Sequence, residues 1–220
     1  MSQNTSSAVM QQRQEPSDSF DYYPTQPWAT RALLEQPIGA APNHRVLEPA
    51  CGEGYMSRPL SEFFDSVTSM DIQDMGYGEQ GDYLFPGDDR RFDWTITNPP
   101  FRLAEQFIQK ALRKSNVGVA MFVRMAFLES IGRYETLFSV TPPTDIFQFT
   151  ERVPLFRGRV CPSGGTATAY TWLVWRLDLP LGHRTTFRWI PPCRQRLERE
   201  TDYPVQSTPL ASCPLFEPAA

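Results

Sequence analysis

A strand-like run, Phe92-Asp93-Trp94-Thr95-Ile96-Thr97, stops against Asn98-Pro99-Pro100-Phe101. Each proline lacks an N–H, so a pair of them cannot continue a central strand, and the chain must leave any sheet at residue 98. That exit leaves the Asn98 side-chain oxygen and the Pro99 carbonyl as free acceptors at the carboxyl end of a strand, where open α/β sheets bind their ligands. Just beyond the turn, Leu103, Ala104, Phe107, Ile108, Ala111 and Leu112 recur at helical spacing.

The same alternation extends in both directions. Thr25, followed by Pro27 and Trp28 to Leu34, reads as an N-cap, an early proline and a short helix. Arg45-Val46-Leu47-Glu48 is a strand, residues 55–64 are helical, and Val67 to Met70 form a second strand closed by Asp71. Val117 to Val123 is an unbroken apolar run, as expected of a strand covered on both faces. Strands alternating with helices imply an α/β fold with a mostly parallel, doubly wound, Rossmann-like sheet. From residue 144 the pattern changes. Residues 144–156 and 168–177 both read as strands, joined by a loop rich in glycine, which predicts an antiparallel C-terminal hairpin at the sheet edge. Residues 1–19 are rich in Ser, Gln and Asn and are expected to be a disordered tail. Order is expected over 20–178, and 179–220, with seven prolines after residue 178, is expected to be irregular.

Two features suggest a ligand. The first strand runs into Glu48-Pro49-Ala50-Cys51-Gly52-Glu53-Gly54, placing small residues where a ligand could approach the backbone. A plain tight turn would look the same. Asp71, 17 residues past Gly54 at the next strand end, stands where a carboxylate can accept hydrogen bonds from ribose hydroxyls; a helix cap or a surface charge is the alternative. The loop lacks Gly-Lys-Ser/Thr and the third glycine of the dinucleotide fingerprint. A ligand with a ribose and no phosphate fits best. S-adenosylmethionine (SAM) is one, and its cationic sulfur tolerates acidic surroundings such as Glu48, Glu53, Asp71 and Asp82.

The Asn98 turn matches the needs of amine methylation. An aromatic amine is a poor nucleophile because its lone pair is delocalised into the ring. Two acceptors on its hydrogens draw that lone pair out of conjugation and aim it, and Phe101 can lie against the ring. No strong base is needed, in keeping with the absence of a nearby His or Cys candidate. A simple strand-terminating turn is the alternative.

Taken together, the glycine loop and Asn98-Pro99-Pro100-Phe101 resemble the SAM-dependent amino-methyltransferases, particularly bacterial and phage DNA N6-adenine methyltransferases. The resemblance spans roughly residues 20–177 and implies the Rossmann-like methyltransferase fold, SAM as cofactor and DNA as partner. It implies a catalytic turn of Asn98, Pro99, Pro100 and Phe101. For the cofactor it implies Thr25 (within Thr25-Gln26-Pro27), Glu48, Pro49, Ala50, Gly52, Gly54, Asp71, Asn98 and the segment holding Asp82 and Tyr83. The motif is shared with RNA base methyltransferases and with enzymes that methylate a protein glutamine amide, usually with Tyr at the place of Phe101. Cytosine N4 and a non-catalytic SAM- or DNA-binding regulator are the remaining readings. Larger members carry a separate target-recognition domain, which about 40 proline-rich residues cannot form. Specificity is then low, loop-borne or supplied by a protein partner.

Composition sets the remaining bounds. No apolar run approaches the roughly 18–20 residues needed to cross a bilayer, and no secretory pattern opens the chain, so a cytoplasmic location is expected. Cys51, Cys161, Cys193 and Cys213 form no C-x-x-C pair, and with only His44 and His183 they offer no zinc spacing; four reduced thiols are expected. The net charge is −4, yet residues 151–200 hold 9 Arg against 4 acidic residues. That stretch could face a phosphate backbone or be an ordinary solvated surface. Within it, Arg152, Arg157 and Arg159 are candidate phosphate contacts, with Phe156 filling the space of an extruded base; an exposed Arg-rich loop is the alternative. Replacing the three arginines together with Gln should flatten the salt dependence of DNA binding, read from affinities across a salt series. An unchanged slope would remove them from the interface.

Overall fold

The computed structural model describes residues 21–180, 182–204 and 216–217. The tail expected at 1–19 and part of the 179–220 extension lie outside them.

Among the described residues ten strands follow one another: β1 (Arg45–Glu48), β2 (Ser66–Asp71), β3 (Glu79–Gln80), β4 (Phe92–Thr97), β5 (Ser115–Arg124), β6 (Asp145–Phe149), β7 (Gly165–Thr166), β8 (Tyr170–Arg176), β9 (Thr186–Ile190) and β10 (Phe216–Glu217). The main helices are α1 (Pro27–Leu34), α2 (Ser57–Ser61) and α3 (Ala104–Lys114), with short turns α4 (Ile131–Arg133) and α5 (Arg194–Leu197). Eight strands form one sheet in the order β3-β2-β1-β4-β5-β8-β6-β9. Neighbours from β3 to β5 are parallel, while β8 runs antiparallel to both β5 and β6. The mixed α/β sheet is therefore mostly parallel, with one reversed strand. β7 and β10 make a separate small parallel pair.

The apolar run of β5 splits by side-chain alternation. Ala120 and Phe122 face a core with α1, whereas Val119, Met121 and Val123 face a core with α3. β8 divides likewise, Trp172 and Val174 to the first side and Leu173 and Trp175 to the second. Gly118 stands within β5 opposite Trp94, and a Cβ there would lie 2.3 Å from the indole.

Three expectations are corrected. Gln26, not Thr25, is the N-cap residue of α1, and no side chain caps that helix. Gln26 is instead buried, donating to the carbonyls of Pro154 and Cys161 and accepting from the Tyr203 hydroxyl. The expected hairpin forms between β6 and β8, but it is not the sheet edge: β9 pairs in parallel outside β6, within a stretch expected to be irregular. Four of its five residues are exposed, so it carries no period-two burial signal. Cys51 and Cys193 are free and buried, whereas Cys161 is disulfide-bonded rather than reduced.

The residues after β9 return to α1 through Arg31. Its guanidinium donates to both oxygens of Glu62, both oxygens of Asp202 and the Leu197 carbonyl, all at 2.7–2.8 Å. All five of its N–H donors are thereby used. Arg31 and Asp202 expose only 9% and 5% of their side chains, so removing the cation strands a nearly buried carboxylate. Arg31→Met should cost about 3 kcal/mol of stability, seen as a lower denaturation midpoint in chemical unfolding. A change below about 0.5 kcal/mol, the usual effect of a surface substitution, would show that the clamp adds nothing.

Candidate active site

Four strand exits and one N-terminal segment enclose a cavity of about 310 Å³ at the carboxyl edge of the sheet. β1 ends in Glu48 and turns through Pro49, Ala50 and Cys51. β2 ends in Asp71, and β4 exits through Asn98, Pro99, Pro100 and Phe101. Asp82 and Tyr83 form one wall, and residues 21–25 cross over the top. Every residue expected to hold a cofactor lines this space except Gly52 and Gly54, and so does the whole turn from Asn98 to Phe101.

The two glycines have another use here. Gly52 has φ +50°, and a Cβ on it would lie 2.3 Å from the Tyr22 ring; a Cβ on Gly54 would lie 2.7 Å from Tyr77. Their bareness admits two tyrosine rings against the loop, and Tyr22 lines the cavity itself. Asp71 braces the loop from within, one carboxylate oxygen accepting from the Gly52 N–H (2.9 Å) and the other from the Gln73 N–H (3.0 Å). Each oxygen keeps a lone pair for a ligand hydroxyl. Asp82 accepts from the Leu84 N–H in a tight turn at the rim.

Glu48 is 2% exposed and hydrogen-bonded to the Ser57 hydroxyl, which also meets Ser69. Burial pushes its carboxyl up to about 8, with the Asp71 charge adding to the effect and the Ser57 bond opposing it. Burial likewise raises the Cys51 thiol to about 12, which makes it a poor nucleophile at neutral pH.

The turn itself is held in one orientation. Asn98 Nδ2 donates to the Tyr23 carbonyl at 2.8 Å. A carbonyl can only accept, so this bond fixes which end of the amide is which. Asn98 Oδ1 is left buried with no hydrogen-bond partner in a residue that lines the cavity. Thr25 Oγ1 is a second buried, unpartnered oxygen among the lining residues. The Phe101 N–H donates to Asp21 at 2.7 Å, and the Phe101 ring sits 5.4 Å from Tyr23 and 6.4 Å from Tyr170. Arg124, at the end of β5, stacks its guanidinium 3.9 Å from the centre of the Phe101 ring.

The second expected group of residues does not converge on this cavity. Phe156 is fully buried, so the expectation that it fills the space of an extruded base is corrected: it is a core side chain beneath the loop. Arg157 and Arg159 are exposed away from the cavity, and Arg152 lines a different one. The basic stretch is also less basic in space than in sequence. Arg188, Arg196 and Arg199 pair with Asp145, Glu35 and Glu62, all from the acidic part of the chain, and Arg176 and Arg194 pair locally with Asp178 and Glu198. Among the described residues no ion pair engages Arg152, Arg157, Arg159 or Arg184.

Sequence reasoning passed over Asp21, Tyr22, Tyr23 and Arg124, which pack on or line the turn, and Ile72. Ile72 follows Asp71 and is 60% exposed although apolar, at the cavity wall where a ligand ring could cover it. Only aromatic density near residues 20–23 hinted at the first group.

No protein-family model matches the sequence, and no curated protein matches it either. Solved structures do. A Vibrio vulnificus chain described as a modification subunit of a type I restriction enzyme superposes with a TM-score of 0.55 at 18% identity, over 84% of this chain and 50% of that one. A Listeria monocytogenes chain described as a class I SAM-dependent methyltransferase gives 0.51 at 14% identity, over 74% and 64%. A Pyrococcus horikoshii chain described as an RNA methyltransferase gives 0.50 at 17% identity, over 69% and 82%. This chain thus spans half the length of the first and under two thirds of the second. Its architecture is the Rossmann-like α/β fold that these chains share. Among the described residues no helix is long and apolar enough to cross a membrane.

The residues fit SAM on their own chemistry. Acidic acceptors at two strand ends, the buried unpartnered oxygens of Thr25, Tyr83 and Asn98 and a mixed apolar wall suit a cationic ligand that carries ribose and amino-acid groups. The raised Glu48 carboxyl has a consequence for stability. Its folded value near 8 lies above the unfolded value of about 4.3, so the folded state holds a proton that the unfolded chain releases between those values. Stability should therefore fall as pH rises from about 4.5 to 8 and level off above, by at most about 1.4 kcal/mol per pH unit. Denaturant melts of the wild type and Glu48→Gln across that range test this, with the variant expected to lose the Glu48 share of the slope. Identical slopes would mean that Glu48 does not hold the proton.

Proposed function

We propose that this chain transfers a methyl group from SAM to the exocyclic amine of a nucleic-acid base, with adenine N6 in DNA as the leading acceptor. The observation that carries the reading is the Asn98 amide, with its nitrogen fixed on the Tyr23 carbonyl and its oxygen buried, unpartnered and in a cavity-lining residue. A buried acceptor left without a donor costs about 1–3 kcal/mol, and an amine N–H would satisfy it.

In this reading Thr25, Glu48, Pro49, Ala50, Asp71, Asp82 and Tyr83 would hold the cofactor, with Gly52 and Gly54 shaping the loop behind it. Asp71 suits ribose hydroxyls, and Glu48 ionises when a cation is brought against it. Bound SAM supplies an electrophilic methyl group carried on a positively charged sulfur. Asn98 Oδ1 and the Pro99 carbonyl accept the two amine hydrogens, draw the nitrogen lone pair out of the ring and orient it. The methyl group so supplied would take the place of one amine hydrogen, leaving the sulfur neutral, and that hydrogen would leave to water as a proton. Phe101, flanked by Tyr23 and Tyr170, offers an aromatic wall suited to a planar base, which favours a base over an aliphatic protein amide. Arg152, Arg157 and Arg159, exposed and outside any ion pair among the described residues, suit phosphate contacts. RNA is the second reading, favoured by the likeness to the Pyrococcus chain. A partner protein that supplies target specificity is compatible with both.

Mass spectrometry of nucleosides from DNA and RNA incubated with protein and SAM tests the reaction and the acceptor together. N6-methyladenine is expected in DNA, falling by about 10²–10³ in rate with Asn98→Ala, while SAM affinity stays within a few fold. Methylation that survives the substitution would overturn the role of the turn. No methylated base in either polymer, with SAM bound, would overturn the reading.

A further inference from the structure

Beyond the Phe101–Tyr170 pair lies a second cavity of about 360 Å³, on the same edge of the sheet, where β6 and β9 end and the antiparallel β8 begins. Three features give it a chemistry of its own. Gln148 donates through Nε2 to the carbonyls of Phe149 (3.0 Å) and Tyr170 (3.3 Å), which fixes its amide and leaves Oε1 buried without a partner. Trp189 is 64% exposed and forms an edge-to-face pair with Phe187 at 4.9 Å, both on the outermost strand. Arg152 lines the same space, exposed and in no ion pair among the described residues. Glu151 also lines it, but its Oε1 is occupied by the N–H groups of Cys193 and Arg194.

We propose that this cavity is a subsite for one unpaired nucleotide of the substrate strand, next to the nucleotide that enters the first cavity. Trp189 stacks on its base, Gln148 Oε1 accepts from an N–H on the base edge, and Arg152 meets its phosphate. A planar aromatic, a fixed acceptor and a cation together match a nucleotide better than a peptide or a lipid, because each recognises a different part of it. Tyr170 joins the two cavities: it lines the second, its ring lies 6.4 Å from Phe101 of the first, and it stacks on Phe122 at 5.3 Å. A strand could pass from one cavity to the other across that aromatic ridge. The base must be unpaired and out of the stack, since Trp189 needs a bare ring face and in a duplex both faces are covered by the neighbouring pairs. This inference rests on the reading that the substrate is a nucleic acid, but not on methyl transfer.

The other four tryptophans, Trp28, Trp94, Trp172 and Trp175, are at most 1% exposed, so a base stacked on the protein surface is reported by Trp189. Titrating the full chain with a single-stranded 12-nucleotide oligodeoxynucleotide should quench its intrinsic fluorescence saturably, and a blunt duplex of the same sequence should quench it less. Trp189→Leu should abolish the quenching and weaken binding of the single strand about tenfold by anisotropy, with Trp189→Phe restoring much of the affinity. In methylation assays Trp189→Leu should raise KM for the oligonucleotide and leave kcat and SAM affinity unchanged. Saturable quenching with no methylated product would uphold the subsite while the methyl-transfer reading fails. Methylation with no quenching, or with KM untouched by Trp189→Leu, would overturn the subsite and leave that reading standing. Equal quenching by the duplex would overturn the requirement for an unpaired base.

Discussion

The hydrogen bond from Asn98 to the Tyr23 carbonyl is the constraint on which the site depends. An amide at the end of a strand can present either its oxygen or its nitrogen to a ligand, and only a partner of known polarity decides. The same stretch of backbone decides more than that. Asp21 accepts from the Phe101 N–H, the Tyr22 hydroxyl bonds Glu53, the Tyr22 carbonyl accepts from the Gly158 N–H, and Tyr23 holds Asn98. Three consecutive residues thus tie together the Asn98 turn, the glycine loop and the loop around Gly158. The loops also pack on the core, Phe101, Val153 and Leu155 against the α1 side and Ala50 against Leu47 and Met70, and the crossing segment adds hydrogen bonds that run from loop to loop.

A similar economy governs the far side of α1. Arg31 gathers Glu62 from the end of α2 and Asp202 from the chain after β9, and Arg196 and Arg199 reach back to Glu35 and Glu62. Three of the nine arginines of the stretch, Arg188, Arg196 and Arg199, thus fasten it to the acidic part of the chain. Arginine suits this use because its planar fork binds carboxylates two bonds at a time. Charge counted along a sequence says which partners are available, whereas charge left over in space says which surfaces can meet a polyanion. Within the 151–200 stretch, and among the described residues, the arginines outside any ion pair sit at 152, 157, 159 and 184.

The parts legible in the sequence are those where one local rule decides. Two prolines must end β4, an apolar run on a strand must be covered on both faces, and a helical stripe after the turn must pack on the sheet. All three appear, as β4, β5 and α3. The illegible parts are those where the deciding partner is distant. Phe156 looks like an exposed aromatic between arginines, yet it is core, because the chain folds over it from elsewhere. Thr25 has the composition of a helix cap, but Gln26 takes the position and spends its amide on carbonyls more than 120 residues away. β9 looks irregular because an edge strand needs main-chain partners and little burial. The glycines at 52 and 54 were readable as a bare loop, but not the tyrosines that need the bareness.

Orphaned polar atoms alone would be a poor guide to function in this fold. The indole nitrogens of Trp28 and Trp94 and the hydroxyl of Thr30 are also buried without partners, and they lie in the core rather than at either cavity. What separates Asn98 and Gln148 is the conjunction of three conditions. Each amide spends its nitrogen on main-chain carbonyls, each is thereby locked, and each belongs to the lining of a cavity at the same edge of the sheet. A core orphan is a cost that packing must offset at all times. An orphan fixed at the wall of a cavity is a cost that a donor from outside can remove, so the same deficit becomes a source of binding free energy and of direction. Two such acceptors, separated by the aromatic ridge of Phe101 and Tyr170, give the edge of this sheet a polarity that neither residue conveys alone.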